Sequence, residues 1–182
     1  MTTDSFTLFE TAIGWCGLVW GERGIVGVQL PEADEAKTRA RLRRRFPGTR
    51  EAAAPPQVQR AIDGITTLLR GEATDLSGVA LDMERVPPFN RQVYEVARTI
   101  PPGATLSYGE IAARLGDPSL ARDVGQALGQ NPFAIIVPCH RVLAAGGKIG
   151  GFSANGGIMT KRRMLAIESV HASDGLPLFG GR

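Results

Sequence analysis

Ser107-Tyr108-Gly109-Glu110 opens the stretch SYGEIAARLGDPSLARDVGQAL, residues 107–128, on which the reading of the fold turns. Serine followed three residues later by glutamate is a capping box, so Ser107 is the expected N-cap of a helix running from Tyr108 to Leu115. Gly116 stops that helix, and Asp117-Pro118-Ser119 makes a tight turn, with Ser119 expected to cap the next helix. Leu120, Val124, Ala127 and Leu128 then fall on one face of that second helix. Two short helices joined in this way form a helix-turn-helix pattern. Helical hairpins in ordinary enzymes give the same signal, so at this point DNA binding and a plain hairpin both stay open.

Upstream, Phe89, Val93, Val96 and Ile100 define the apolar stripe of a further helix, stopped by Pro101-Pro102-Gly103. Val86-Pro87-Pro88 is the candidate boundary with what precedes it. Residues 5–30 are different in kind. Phe6-Thr7-Leu8-Phe9, Leu18-Val19-Trp20 and Ile25 to Leu30 are apolar runs separated by glycine-bearing turns, which predicts an antiparallel hairpin or meander. Residues 33–46 predict a helix with Asp34-Glu35 early and Arg43-Arg44-Arg45 late, an order that suits the helix dipole. The arginine run is either a nucleic-acid patch or a solvated helix face. Residues 49–56 read as a loop. Val58, Ala61, Ile62, Ile65, Leu68 and Leu69 give a helix that Gly71 closes, and 76–83 read as a short strand. The fold class is α/β in the α+β sense. A sheet-and-helix scaffold domain (1–85) precedes a mostly helical domain with the helix-turn-helix (86–170) and a tail (171–182).

The chain has 182 residues, 43% of them hydrophobic and 21% charged, which suits one or two small globular domains. It holds no apolar run of about 18 residues, so no membrane-spanning helix and no membrane partner are expected. No secretory signal is expected either, and the expected location is the cytoplasm. The net charge of +3 is unevenly spread. Residues 1–85 carry 11 basic and 12 acidic side chains, while 86–182 carry 10 and 6. The C-terminal half therefore suits an anionic partner better. Cys16, Cys139, His140 and His171 lack metal-ligand spacing, so no metal is expected.

Residues 135–141 read Ile-Ile-Val-Pro-Cys-His-Arg. A short apolar strand is expected to end at Pro138, which leaves Cys139 at an edge or turn. A thiol reacts as a thiolate, and its pKa falls beside His, Arg or a helix N-terminus. Cys139 is flanked by such groups. Cys16, between Trp15 and Gly17, fits a buried structural cysteine. A Cys–His pair suits a hydrolase dyad or a redox thiol as well as other thiol chemistry. Glu168 is a candidate to orient His140, and Asn131 to brace the turn holding Cys139.

Pro138-Cys139-His140-Arg141-Val142 resembles the active-site signature of the O6-alkylguanine-DNA alkyltransferases. Ser107-Tyr108-Gly109-Glu110-Ile111-Ala112, Ala121-Arg122 with Val124-Gly125, Asn131-Pro132 and Gly150-Gly151-Phe152-Ser153 occur in that family's order and near its spacing. Pro88-Phe89 with Val93-Tyr94 resembles the start of its C-terminal domain. The likeness covers residues 86–168 strongly and 5–80 only in architecture. It implies direct-reversal DNA repair, in which Cys139 takes an alkyl group from O6 of guanine irreversibly, once per chain and without a cofactor. It implies that His140 accepts the thiol proton through a water, Glu168 holds the imidazole, Asn131 fixes the turn and Tyr108 donates to the departing guanine. Ser153, Phe152, Pro138 and Lys161 are implied around the base. Arg122 is implied to fill the stack when the nucleotide flips out, with Ser119, Ala121, Gly125 and Ala127 beside it on the DNA. The implied partner is double-stranded DNA carrying O6-alkylguanine, met by a monomer.

Several features depart from the family pattern. Pro102 follows Pro101 where the family often has an aromatic residue, Gln126 and Gln130 offer few phosphate contacts, and the tail from His171 to Arg182 has no counterpart. Asp123 places an acid on a helix expected to face phosphates. Ala154 and Asn155 lengthen the loop before Gly156-Gly157. Phe152 stands where tyrosine is frequent. A lesion sensor without catalysis and a Cys–His hydrolase or redox thiol protein are the alternatives. Cys139 argues against the sensor, whose relatives lack the cysteine.

Overall fold

The computed structural model describes residues 3–151 and 156–168. They group into two compact units. The first holds the residues up to Arg85 together with Pro132–Ile136, and the second holds Val86–Asn131 and the residues from Val137 on. The 86–170 segment expected to be one domain is thus interrupted by 132–136.

In the first unit β1 (Ser5–Thr11), β2 (Gly14–Gly21) and β3 (Gly24–Gln29) form the expected antiparallel meander. Gly24 closes the second turn at φ 128°, where a Cβ would stand 2.5 Å from the Ala80 carbonyl oxygen; only glycine fits both demands. Helix α1 (Glu35–Arg45) starts at Asp34, whose side chain accepts from the Lys37 amide at 2.8 Å. Its Leu42 packs with Phe6, Val19 and Val26 beneath the sheet. Within the expected loop, β4 (Arg50–Glu51) adds a parallel edge to β1, so the sheet order is β3-β2-β1-β4. Helix α2 (Pro56–Leu69) buries all six apolar residues that its spacing marked.

The arginine run is largely engaged inside this unit. Arg39 pairs with Glu35 and Glu51, Arg43 lies 3.9 Å from Glu51, and Arg45 donates to Gln29 and the Val28 carbonyl.

Two strand expectations fail. Between residues 76 and 83 only Leu81 pairs, as an isolated bridge to Ile25. Asp75 captures the Ser77 amide and turns the chain before a strand can form. Residues 135–136 are a buried turn, with Ile135 in the left-handed region at φ 75°, and Val137 forms no more than an isolated bridge. Phe133, Ile135, Ile136 and Val137 are each at most 2% exposed. A continuous apolar run reports burial, and here burial comes without extension. Phe133 bridges to Val28, and the Val28 amide donates to the Pro132 carbonyl at 2.8 Å.

The second unit contains α3 (Pro88–Ala97), β5 (Leu106–Ser107), α4 (Tyr108–Arg114), α5 (Ala121–Gly129), β6 (Val142–Leu143) and α6 (Ile158–Ile167). The capping box closes as predicted: the Glu110 amide donates to Ser107 Oγ at 3.0 Å and the Ser107 amide to Glu110 Oε2 at 2.7 Å. The stripe of α3 is rotated from the expected one. Asn90, Val93, Tyr94 and Ala97 are buried, while Phe89 and Val96 are half-buried. Polar reach explains this, since Tyr94 donates to the Ala127 carbonyl at 2.7 Å and Asn90 donates to Gln130 at 2.9 Å. Ser119 caps nothing. Asp117 caps the intervening 3-10 turn (Pro118–Leu120), binding the Ser119 amide and hydroxyl, and α5 begins from Leu120 without a side-chain cap. Among the described residues no helix is long and apolar enough to cross a membrane.

Candidate active site

Parallel pairing of β5 with β6, Leu106 opposite Val142 and Ser107 opposite Leu143, sets the residues before β6 beside the start of α4. Those residues are a 3-10 turn, Cys139–Arg141, entered from Pro138. Pro138 cannot donate, and the Arg141 amide donates back to its carbonyl at 2.8 Å. Cys139 is 9% exposed. Asn131 donates to the Val137 carbonyl at 2.9 Å, so it braces the backbone two residues before the thiol.

Burial pushes the Cys139 thiol above its ordinary pKa. A hydrogen bond from Asn131, the charge of Lys161 and two backbone amides act against that rise. The expectation of a depressed thiol pKa is therefore corrected: desolvation outweighs the neighbours. The adjacent Arg141 points elsewhere. Its Nε and Nη2 donate to the two oxygens of Glu168 at 2.9 and 2.8 Å, and Nη1 donates to the Ile100 carbonyl at 2.6 Å.

His140 lies buried with Nε2 2.9 Å from Glu168 Oε1. A carboxylate accepts only, so Nε2 carries the proton in the neutral ring and Nδ1 holds the lone pair. Nδ1 is buried without a hydrogen-bond partner among the described residues. Burial lowers the His140 pKa against the raising effect of Glu168, with Arg141 and Lys161 lowering it further. Burial alone would raise Glu168, but the hydrogen bonds and charges of His140 and Arg141 bring it down to about 2. Glu168, at the C-terminal cap of α6, is not an exposed helix residue: its side chain is 3% exposed.

Lys161 on α6 is also buried, donates to the Val142 carbonyl at 2.7 Å, and stands 5.8 Å from the centre of the Tyr108 ring. Burial brings its pKa down to about 8. Burial and the charge of Cys139 raise Tyr108, so it remains a phenol and a donor at neutral pH. Gly150 lets the backbone pass Tyr108 Oη, where a Cβ would collide.

A pocket of about 630 Å³ opens here, with Cys139, Tyr108, Arg122, Gly125, Gly129 and Gly151 in its lining. Arg122 is exposed in the first turn of α5. Ala121 and Gly125 are half-buried on the same helix. Ala127 is 2% exposed and faces the core with Val124 and Leu128, so its side chain is unavailable to a DNA groove. Phe152 and Ser153, with the extra Ala154 and Asn155, lie outside the described residues, as does the tail.

Sequence reading missed Arg141 as a partner of Glu168 and Tyr94 as the tie between α3 and α5. Only the burial of both groups reveals them; Arg141 was visible solely as a neighbour of Cys139.

Residues 88–170 match the family model of the 6-O-methylguanine DNA methyltransferase DNA-binding domain. A methylated-DNA–protein-cysteine methyltransferase of Mycolicibacterium paratuberculosis is 44% identical over 119 residues, 65% of this chain and 70% of that one. One from Methanothermobacter thermautotrophicus is 32% identical over 154 residues, 85% and 79% of the two chains. The crystal structure of Mycobacterium tuberculosis OGT in complex with DNA superposes with a TM-score of 0.73 at 35% identity, covering 97% of this chain and 99% of that one. The order of motifs, the cysteine turn and the whole-chain likeness agree, and the chain belongs to the methylated-DNA–protein-cysteine methyltransferase family.

Proposed function

We propose that this chain repairs double-stranded DNA directly, as a monomer and without a cofactor, by moving the alkyl group from O6 of guanine onto Cys139. The observation that carries the proposal is a thiol in the lining of a pocket shared with Tyr108 and Arg122, beside a histidine whose Nδ1 is buried with no hydrogen-bond partner among the described residues. The DNA-bound structure of the Mycobacterium tuberculosis relative supports DNA as the partner.

In the transfer, the Cys139 sulfur forms a bond to the alkyl carbon as the carbon–O6 bond breaks. The thiol proton passes through a water to His140 Nδ1. Glu168, already ionised, stabilises the imidazolium from Nε2. The electron pair of the broken bond goes to guanine, and Tyr108 donates to the base as it gains charge. Asn131 keeps the cysteine turn in place, and Lys161 supports the pocket from Val142. The thioether so formed does not release its alkyl group to water, so each chain acts once. The target base must leave the duplex to reach the pocket, and Arg122 fills its place in the stack. Ala121 and Gly125 permit close approach of α5 to the groove, whereas Asp123 weakens the contact with phosphates. The reaction needs a reduced thiol, a condition that bacterial-type cytosol supplies.

Intact mass after incubation with an O6-methylguanine duplex tests the reading. The expected result is one added CH₂ per chain on Cys139 and none on Cys139→Ser. Lesion binding without mass gain would favour the sensor. Neither binding nor gain would return the Cys–His hydrolase.

A further inference from the structure

Arg141 takes no part in the transfer just described, yet it makes three hydrogen bonds in the same network, one buried and two part-buried. The exposure of the side chains is 1% for His140, 6% for Arg141 and 3% for Glu168. Glu168 Oε1 is shared between His140 Nε2 and Arg141 Nη2, and Oε2 is held by Arg141 Nε. The third bond, to the Ile100 carbonyl, fixes the far side of the guanidinium. A planar fork anchored at both ends allows the carboxylate little freedom to rotate.

We infer that Arg141 is a positioning residue for the transfer: by clamping Glu168 it holds the His140 imidazole with its proton on Nε2, and so leaves Nδ1 as the nitrogen that takes the thiol proton. The inference rests on the transfer reading above and adds a residue to it. Two consequences follow from charge. With Arg141 in place, the resting network of Arg⁺, Glu⁻ and neutral His carries no net charge, which suits a buried site. Glu168 also stays a carboxylate while the imidazole is protonated, so the proton stops on the ring. The charged and titratable groups facing His140 are Cys139 and Arg141 on its own turn, and Glu168 and Lys161 from α6 and its end. Removing the Arg141 charge raises the affinity of the imidazole for protons, because a positive charge opposes its protonation. The acid limb of the rate profile then moves to higher pH.

The test is the single-turnover transfer rate against pH for the full chain, Arg141→Gln and Arg141→Lys. Arg141→Gln should be about tenfold or more slower at neutral pH with its acid limb displaced upward. Arg141→Lys keeps the charge and loses the fork, so it should remain slow with the limb near its original place. A folded Arg141→Gln with the unshifted limb overturns the inference, since a purely structural loss would slow transfer evenly across pH. Nitrogen-detected NMR of the two histidines in the unreacted chain, assigned with His171→Gln, decides the case independently of transfer and of any variant that fails to fold. The expected His140 is neutral, protonated on Nε2, and titrates below its ordinary 6.5. A ring protonated on Nδ1 overturns the inference. A chain that gains no mass from methylated duplex defeats the transfer reading instead, whatever the tautomer.

Discussion

Cys16 lies within β2, fully buried, with Thr11 Oγ1 3.7 Å from its sulfur. Cys139 heads a 3-10 turn and is nearly as buried, but Asn131, Lys161 and backbone amides surround it and a pocket opens beside it. Burial pushes the Cys16 thiol up to about 12, with one weak hydrogen bond in opposition. The same desolvation acts on Cys139, where several groups oppose it. Burial alone therefore does not separate a structural thiol from a reactive one. What separates them is the set of donors and charges turned toward sulfur, and a space in which a substrate can stand. The largest expected effect follows from this. Cys139→Ser should lose methyl transfer entirely by intact mass. Cys16→Ala should transfer within about twofold of the unaltered rate and lose on the order of 1 kcal/mol of stability to the small cavity. Abolished transfer in a folded Cys16→Ala chain would break the comparison.

The pocket is the second difference. Arg122 is exposed and makes no ion pair among the described residues, so its side chain contributes little to folding. Arg122→Ala should transfer roughly 10- to 100-fold more slowly from duplex, because extrusion of the base costs a few kcal/mol that the arginine helps to offset. Its stability should stay within about 0.5 kcal/mol. Transfer from free O6-methylguanine, which needs no extrusion, should be unchanged. An equal loss on duplex and free base would reassign Arg122 from the DNA stack to the pocket itself.

Where one residue acts locally, sequence was a sufficient guide. The Ser107–Glu110 box depends on four consecutive residues, and the face of α2 depends on spacing within one helix; both formed as read. The Pro138-Cys139-His140-Arg141 signature marked the candidate site, and the structure brings Glu168 to His140 and Asn131 to the Val137 carbonyl. The failures share a physical cause, competition from partners distant in sequence. Tyr94 rotates α3 by reaching Ala127, 33 residues on. Arg141 turns from Cys139 to Glu168, 27 residues on. Ile135 adopts φ 75°, a conformation costing about 1–2 kcal/mol for such a side chain, while being almost wholly buried. Nothing in the local run Ile135-Ile136-Val137 announces that turn. Ser119 failed for the opposite reason, since Asp117 is the stronger local acceptor and claims the cap.

The charged network gives the third difference, and acid should expose it. Glu168 is held at about 2 in the folded chain against an ordinary 4.5. A depressed folded pKa stabilises above the unfolded value and is lost as pH falls through the folded one. The contribution, about 3 kcal/mol, should therefore be complete near pH 6 and disappear between about pH 5 and pH 2. His140 acts with the same sign from higher pH, because its folded pKa is lowered and the unfolded chain protonates first below 6.5. Urea unfolding from pH 7 to pH 3 should show stability falling throughout, with a smaller slope below pH 5 for Glu168→Gln. An identical slope in that variant would mean that Glu168 is not held as an ion. Among the described residues no such charged network surrounds Cys16, so Cys16→Ala should leave the slope unchanged.

The smallest expected effect compares the hydrogen-bond partners of the two thiols. Asn131→Ala removes the donor to the Val137 carbonyl and the bond that lowers the Cys139 pKa. It should cost roughly 1–3 kcal/mol of stability and raise the pH at which iodoacetamide modifies Cys139. Thr11→Val removes a hydroxyl that also donates to the Gly14 carbonyl at 2.8 Å and accepts from the Ile13 amide at 3.2 Å. Its cost, about 1 kcal/mol, falls on the β1–β2 turn and leaves Cys16 unreactive at neutral pH, because burial dominates that thiol with or without Thr11. If Thr11→Val instead made Cys16 reactive while the fold persisted, a single hydrogen bond would have been holding the thiol inert. The contrast between the two cysteines would then rest on one neighbour rather than on a whole environment.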